Sequence, residues 1–332
     1  MKASVLGGID QPLQWREVPT PIPAEGEVLI RLKAAALNHR DVWIQKGQYA
    51  GLKFPCILGS DGAGTVVETG PDVDKSWMGK EVVLNPGLFW GSNPAFPAKE
   101  FRILGLPDDG TFAEYIRFPA SHAYPKPAHL SFEEAASIPL GGLTAYRALF
   151  SRAELKAGEK VLITGIGGGV ALLAFQFARS VRAQVYVTSG SDEKLERAKA
   201  LGAAGGVNYR QEDWSKQLAA QAKGLDVIVD SAGGEGFGRL IELAAPGGRI
   251  ALYGGTSGAW KEVSPQRVFF KQLSIFGTTM GSAQEFESML RLIEEKQLKP
   301  VLDQCFPLSE AEQALRRMDG AEQFGKIVLR IN

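Results

Sequence analysis

Two short stretches carry residue types that do chemistry. The first is "PCILGSDGAG", residues 55 to 64, where Ser60 and Asp61 interrupt an apolar, glycine-rich run. A serine–aspartate pair in that setting is half of a nucleophilic site, an anion cradle, a metal site or only a tight turn. The second is "VLITGIGGGVALLAFQFA", which starts at Val161. A strand, a glycine turn and a helix in that order let backbone N–H groups approach a pyrophosphate, which then sits on the helix N-terminus. The best register puts Gly168 at the central position and Ala171 at the helix-packing position, with Ile166 first and Gly165 and Gly167 on either side of it. Gly167, Gly168, Gly169 and Val170 are the candidate pyrophosphate contacts. Alone, the turn reads equally as any tight strand-to-helix connection, so the surrounding elements decide.

From about residue 157 those elements alternate. "KVLIT" (160–164), "QVYVTS" (184–189), "LDVIVDSAG" (225–233) and "GRIALYGG" (248–255) are apolar strands. Between the first two lies "VALLAFQFARSV" (170–181), with Val170, Leu173, Ala174 and Phe177 on one helical face. "DEKLERAKALG" (192–202) is the next helix. Continuous apolar strands separated by helices predict a parallel, doubly wound sheet with both faces covered, a Rossmann-type α/β unit that binds a dinucleotide. Residues 1–125 read differently: "EVLIRLKAAAL", "GAGTVVETG", "KEVVLNP" and "FAEYIRFPA" are short strands between Gly and Pro. Ser131 and the acidic residues after it open a helix. After residue 270 come "LSIFGTTMG", a helix through "EFESMLRLIEEKQ" and a last strand "KIVLRIN". The predicted organisation is a β-rich domain over 1–128, a nucleotide-binding domain over 129–270, and a return over 271–332 that completes the first domain.

The strand ending "VTSGSDEK" bears on which dinucleotide. An NAD site places a carboxylate there to accept the ribose 2′-OH. Here Ser189, Gly190 and Ser191 stand instead, followed by Lys194, with Tyr209 in "NYR" (208–210) beyond the next helix. Small hydroxyls, a lysine and a stacking ring suit a 2′-phosphate, so NADPH is the expected cofactor. A plain solvated helix lysine is the other reading of Lys194. Further along the carboxyl edge, Ser231, Gly254 and Gly255 fall where the ligand of such a sheet lies.

The whole chain narrows the class. Lys+Arg and Asp+Glu both number 37 in 332 residues, which argues against broad electrostatic binding to nucleic acid or to a membrane surface. Cys56 and Cys305 are the two cysteines, far apart; with no apolar leader at the N-terminus, a cytoplasmic protein is expected. Cys56 reads as a small buried hydrophobe. His39, His122 and His129 have no partner by spacing, so a hydrolase built on Ser60 and Asp61 has little support.

"LNHRD" (37–41), "ILGSDGAGTV" (57–66), "DGTFAEY" (109–115), "GGLTAYRAL" (141–149), "GEKVLITG" (158–165), "LGA" (201–203) and "GKIVL" (325–329) occur in one order. In these motifs the chain resembles the medium-chain dehydrogenase/reductase superfamily over its full length. The resemblance implies a GroES-like catalytic domain beside the Rossmann domain, with the cofactor in the cleft between them. It also implies nicotinamide contacts from Thr144, from Thr278 in "FGTTMG" and, more weakly, from Lys326.

Zinc alcohol dehydrogenases of the superfamily carry Gly-His-Glu where Gly59, Ser60 and Asp61 stand, and the histidine ligates the catalytic zinc. Serine is a poor zinc ligand. Asn38 falls in the region of the earlier cysteine ligand, "IPLGG" (138–142) supplies no later one, and residues 85–110 lack the four cysteines of a structural zinc lobe. No metal is expected. The chain is most similar to the zinc-free quinone oxidoreductase and enoyl reductase branch. Without a metal, hydride addition to a quinone or an α,β-unsaturated carbonyl remains feasible, because the incoming charge is delocalised onto an oxygen that a hydrogen-bond donor can hold. Tyr49, in "GQY", falls where enoyl-thioester reductases carry a catalytic tyrosine; packing at the site's mouth is its other reading. Asn38 is a candidate for the substrate carbonyl or the nicotinamide, and Asp41 for organising the loop. The expected partners are a small-molecule quinone or enone and a second copy of the chain, a homodimer through the edge strand "LSIFGTT". A zinc-type alcohol dehydrogenase-like protein of altered specificity and a cofactor-binding protein with little turnover are the alternatives.

Overall fold

The computed structural model describes residues 1–332 and divides into two compact units: Met1–Leu143 with Gly281–Asn332, and Thr144–Met280. The changeovers fall later than the expected 128/129 and 270/271. Ser131 caps a helix, Phe132–Ala136, accepting from the Glu134 N–H at 3.1 Å while the Glu134 carboxylate takes the Ser131 N–H at 2.8 Å. That helix packs on the β-rich unit, against the strands Glu27–Ala36 and Asp61–Thr69. A switch from strand to helix texture in the sequence therefore precedes the real boundary. At the other end, Ser274–Gly277 pairs in parallel with Ala244–Leu252, so residues past 270 still belong to the nucleotide unit.

The β-rich unit is built on a seven-stranded sheet ordered Ala123–Pro125, Glu81–Leu84, Asp61–Thr69, Glu27–Ala36, Lys326–Arg330, Leu302–Pro307, with Tyr115–Pro119 also paired to Glu27–Ala36. All pairs are antiparallel except the last two strands of the path. The C-terminal strand thus lies beside an N-terminal one, and this places Lys326 close to residue 37. A three-stranded antiparallel sheet, Gln14–Glu17, Lys2–Leu6 and Cys56–Ile57, lies apart from it. Phe112 and Phe118 are fully buried in this core, each contributing about 1.5–3 kcal/mol. Cys56 is buried there too, and burial pushes its thiol up to about 11, as expected of a small inert hydrophobe.

The second unit is a six-stranded, all-parallel sheet. Its order is Gly205–Asn208, Gln184–Ser189, Lys160–Ile163, Leu225–Asp230, Ala244–Leu252, Ser274–Gly277. This is the doubly wound order, reversing direction beside Lys160–Ile163. The helix Gly169–Ser180 that follows the reversal buries Ala171, Leu172, Leu173, Ala174, Phe175, Phe177 and Ala178, while Val170 stays half-buried. The single apolar face read from the sequence was too narrow, because this helix is covered nearly all round. No helix is long and apolar enough to cross a membrane.

Candidate active site

In the nucleotide unit the parallel strands bring their carboxyl ends to one edge. Gly167, Gly168, Gly169 and Val170 follow the first strand, Ser189 ends the second with Gly190 and Ser191 after it, and Tyr209 follows the third. Ser231, Gly254, Gly255 and Thr278 follow the others. Gly165 has φ +68° and Gly167 φ +132°, conformations that favour glycine and let the turn fold back above the sheet. Gly168 is the N-cap of Gly169–Ser180 and offers no side chain to its first-turn N–H groups. The hydroxyl of Thr278 is buried with no hydrogen-bond partner. An uncapped helix start and an orphan donor on one sheet edge fit a bound dinucleotide. Thr144 lies at the start of this unit, its hydroxyl 3.9 Å from the sulfur of Met280.

The ribose end is equally specific. A Cβ on Gly190 would stand 2.7 Å from the Tyr209 hydroxyl and 3.0 Å from Arg210 Nε, so both side chains reach over this glycine. Ser189 accepts from the Ser191 N–H at 3.1 Å, and Ser191 caps the helix Asp192–Ala200 by accepting from the Lys194 N–H at 3.4 Å. Tyr209 and Arg210 are exposed above this cluster. Sequence reasoning quoted Arg210 in "NYR" without giving it a role; only the parallel pairing of Ser189 with Asn208 shows that it reaches Gly190.

The β-rich unit holds a second polar cluster, and "PCILGSDGAG" runs through it. Gly59 has φ +97°, and a Cβ there would stand 2.4 Å from the Phe112 ring. Glycine thus lets the chain turn against a buried aromatic and deliver Ser60 and Asp61 inward. Asp61 is fully buried. Its Oδ2 accepts from Lys326 Nζ at 2.9 Å and Asn38 Nδ2 at 3.0 Å, and its Oδ1 accepts from the Leu140 N–H at 2.8 Å. Lys326, itself buried, also donates to Asn38 Oδ1 at 2.9 Å and to the Leu37 carbonyl at 2.7 Å. Its three donors are therefore all engaged. The expectation that Lys326 touches a cofactor is corrected: its ammonium is the counter-ion of Asp61. Asn38 lies in the same network: its Nδ2 donates to Asp61 and its Oδ1 accepts from Lys326, so the amide positions that pair.

Arg40 is the residue the sequence reading missed at this site. It is 6% exposed in the short helix His39–Gln45. Nη1 donates to Ser60 Oγ at 2.7 Å and to the Leu104 carbonyl at 2.6 Å, while Ser60 Oγ donates to the same carbonyl at 2.8 Å. Nε donates to the Tyr49 hydroxyl at 3.4 Å, and the guanidinium lies 5.0 Å from the Tyr49 ring centroid. Nη2 is buried and has no hydrogen-bond partner. Tyr49 is half-buried against the core, so its ring packs while its oxygen is tied to Arg40. Asp41 is fully buried, with Oδ2 accepting from the Asn38 N–H at 2.8 Å and Oδ1 from the Gly59 N–H at 3.4 Å. It braces the loop as expected. Burial pushes its carboxyl up to about 6, against the opposing pull of Arg40 and the Asn38 hydrogen bond.

The histidines stand elsewhere. His39 is exposed at the helix start near Trp43, His122 packs on Phe89, and His129 bonds the Leu298 carbonyl. No group of three or more His, Cys, Asp or Glu side chains is placed to hold a metal ion. The aromatic segment 85–107 forms a small hairpin, Gly87–Leu88 with Arg102–Ile103, closed by Trp90 edge-on to Phe101 and by Arg102 over Phe89.

A Rossmann unit and a β-rich unit with a buried polar site, carried on one chain, define a nicotinamide-dependent oxidoreductase. Residues 24–128 match the alcohol dehydrogenase GroES-like domain and residues 169–295 the zinc-binding dehydrogenase domain. The chain is 37% identical to the "Zinc-type alcohol dehydrogenase-like protein YogA" of Leptosphaeria maculans, over 98% of this chain and 96% of that protein. It is 31% identical to the chloroplastic quinone-oxidoreductase homolog of Spinacia oleracea, over 98% and 96%. A solved structure described as an NAD-dependent alcohol dehydrogenase superposes with a TM-score of 0.93 at 42% identity, covering all of both chains. The chain belongs to the medium-chain dehydrogenase/reductase superfamily, whose members act on small molecules.

Proposed function

We propose that this protein is a zinc-independent, NADPH-dependent reductase of quinones or α,β-unsaturated carbonyls. The observation that carries the reading is the occupation of the polar cluster by Arg40 and Lys326. The Asn38 and Ser60 oxygens, which stand where relatives would offer metal ligands, are bonded to those two cations, and Leu140 offers a backbone N–H to Asp61. A divalent ion placed among them would find the Asn38 and Ser60 oxygens and the Asp61 carboxylate already bonded to protein donors, two of them cations, and no imidazole or thiolate. The residues present do not fit zinc, although the matched family is described as zinc-binding. Hydride addition to a conjugated acceptor needs only a donor for the developing oxyanion and a proton source.

The cofactor side of the proposal rests on Ser189, Gly190, Ser191, Tyr209 and Arg210, which offer hydroxyls and a guanidinium where a carboxylate would select NADH. The named NAD-dependent relative argues the other way. The zinc-type relatives keep alcohol dehydrogenation in view as a second reading. The test is turnover: NADPH oxidation with benzoquinone, phenanthrenequinone, a conjugated alkenal and crotonyl-CoA. Activity on at least one is expected; NADPH binding with no turnover on any of them favours a cofactor-binding protein and contradicts the reading.

The proposal includes a cytoplasmic homodimer. The strand Ser274–Gly277 is the outer edge of the parallel sheet, and Phe270, just before it, is 80% exposed. An open strand edge beside exposed phenylalanine rings suits pairing with a second copy. Sedimentation equilibrium is expected to give twice the 35.8 kDa chain mass, and Phe270→Asp to shift the protein to monomer. A monomeric wild-type protein contradicts it.

A further inference from the structure

We propose that Arg40 is a catalytic residue, the electrophile that receives the substrate's carbonyl oxygen through Nη2. The inference deepens the reductase reading and rests on it. A buried guanidinium normally has its donors matched, because an unpaired buried donor is costly and a charged one most of all. Arg40 is anchored at Nη1 by two bonds and at Nε by one, which fixes the plane of the fork. The one remaining nitrogen, Nη2, is buried without an acceptor. A rigid, desolvated, preorganised donor that lacks a partner is the arrangement that holds an oxyanion.

A bound reduced nicotinamide would supply the hydride. The substrate's β-carbon accepts it, the alkene electron pair moves to join the α-carbon and the carbonyl carbon, and the carbonyl pair moves onto oxygen. Nη2–H of Arg40 holds that enolate oxygen. A proton from water, passed by the Tyr49 hydroxyl, then adds to the α-carbon. Because Nε donates to the Tyr49 oxygen, the phenolic proton is left to point away from Arg40 and towards an acceptor. Ser60 takes on a definite role: together with the Leu104 carbonyl it fixes Nη1 and so aims Nη2. A histidine at that position would not give the same short hydroxyl bridge.

The test uses Arg40→Lys and Arg40→Ala in the full-length protein. Lysine keeps the charge and can reach Ser60 or Leu104, but has no fork. Expected is a fall in kcat of about 10²–10³, the size seen when an oxyanion donor is lost, with NADPH binding unchanged. A second readout needs no turnover. A nitrophenol, which mimics the enolate, is expected to bind the wild-type NADP⁺ complex as its coloured phenolate. The folded Arg40→Lys complex should bind it weakly or as the neutral phenol. Arg40→Ala should regain rate when guanidinium ion is added. A folded Arg40→Lys enzyme that keeps its kcat within about threefold and still binds phenolate overturns the proposal while leaving the reductase reading intact. A wild-type protein that reduces no conjugated acceptor overturns both.

Discussion

Replacing Asp61 by alanine is expected to destabilise the β-rich unit by about 3–5 kcal/mol, the loss found when one partner of a buried pair is removed. The cause is what remains. Lys326 Nζ is buried and would keep only the Asn38 and Leu37 oxygens, with no carboxylate bonded to it. The Leu140 and Asn38 donors would lose their acceptor as well. Lys326→Met alone leaves the mirror problem, a buried carboxylate short of its cation. The double variant Asp61→Ala with Lys326→Met removes both charges, so its loss should be well below the sum of the singles. Denaturant unfolding of the four proteins closes the cycle. Additive losses would show that the pair is not coupled and that the cluster is not the frame of the site.

The next largest effect is expected at Arg210. Arg210→Gln should raise the KM for NADPH about 10–100-fold and leave that for NADH nearly unchanged, since a hydrogen bond to a charged group contributes about 1.5–3 kcal/mol. The geometry is specific: the guanidinium stands over Gly190, beside the Tyr209 hydroxyl, at the end of the Gln184–Ser189 strand. Equal loss with both cofactors would mean that Arg210 only stabilises the loop. No loss with either would remove the case for a 2′-phosphate there.

The nucleotide unit was largely legible because its signals are local. The apolar strands, the glycine turn and the serine caps each act within a few residues, and parallel pairing then brings them to one edge. The polar cluster of the β-rich unit was not. Asp61 meets Asn38 across 23 residues, Leu140 across 79 and Lys326 across 265. Nothing in "GKIVL" says that its lysine turns inward, so Lys326 was assigned to the cofactor. "LNHRD" looks like the solvated start of a helix, and the burial of Arg40 follows only from the fold around Gly59 and Leu104. What the sequence did disclose was a negative: serine and asparagine where metal ligands would stand. The structure adds what fills that place, a guanidinium and an ammonium.

The central claim is that the chemistry of this site runs on buried side-chain cations and needs no metal. The most direct measurement compares two reactions of one chelator-treated, metal-analysed enzyme: NADPH-driven reduction of a conjugated alkenal or quinone, and NADP⁺-driven oxidation of the matching allylic alcohol. The account predicts reduction that survives chelation at full rate, with no stoichiometric zinc and little alcohol oxidation. Alcohol oxidation that dominates, and that disappears on chelation and returns with zinc, would contradict it.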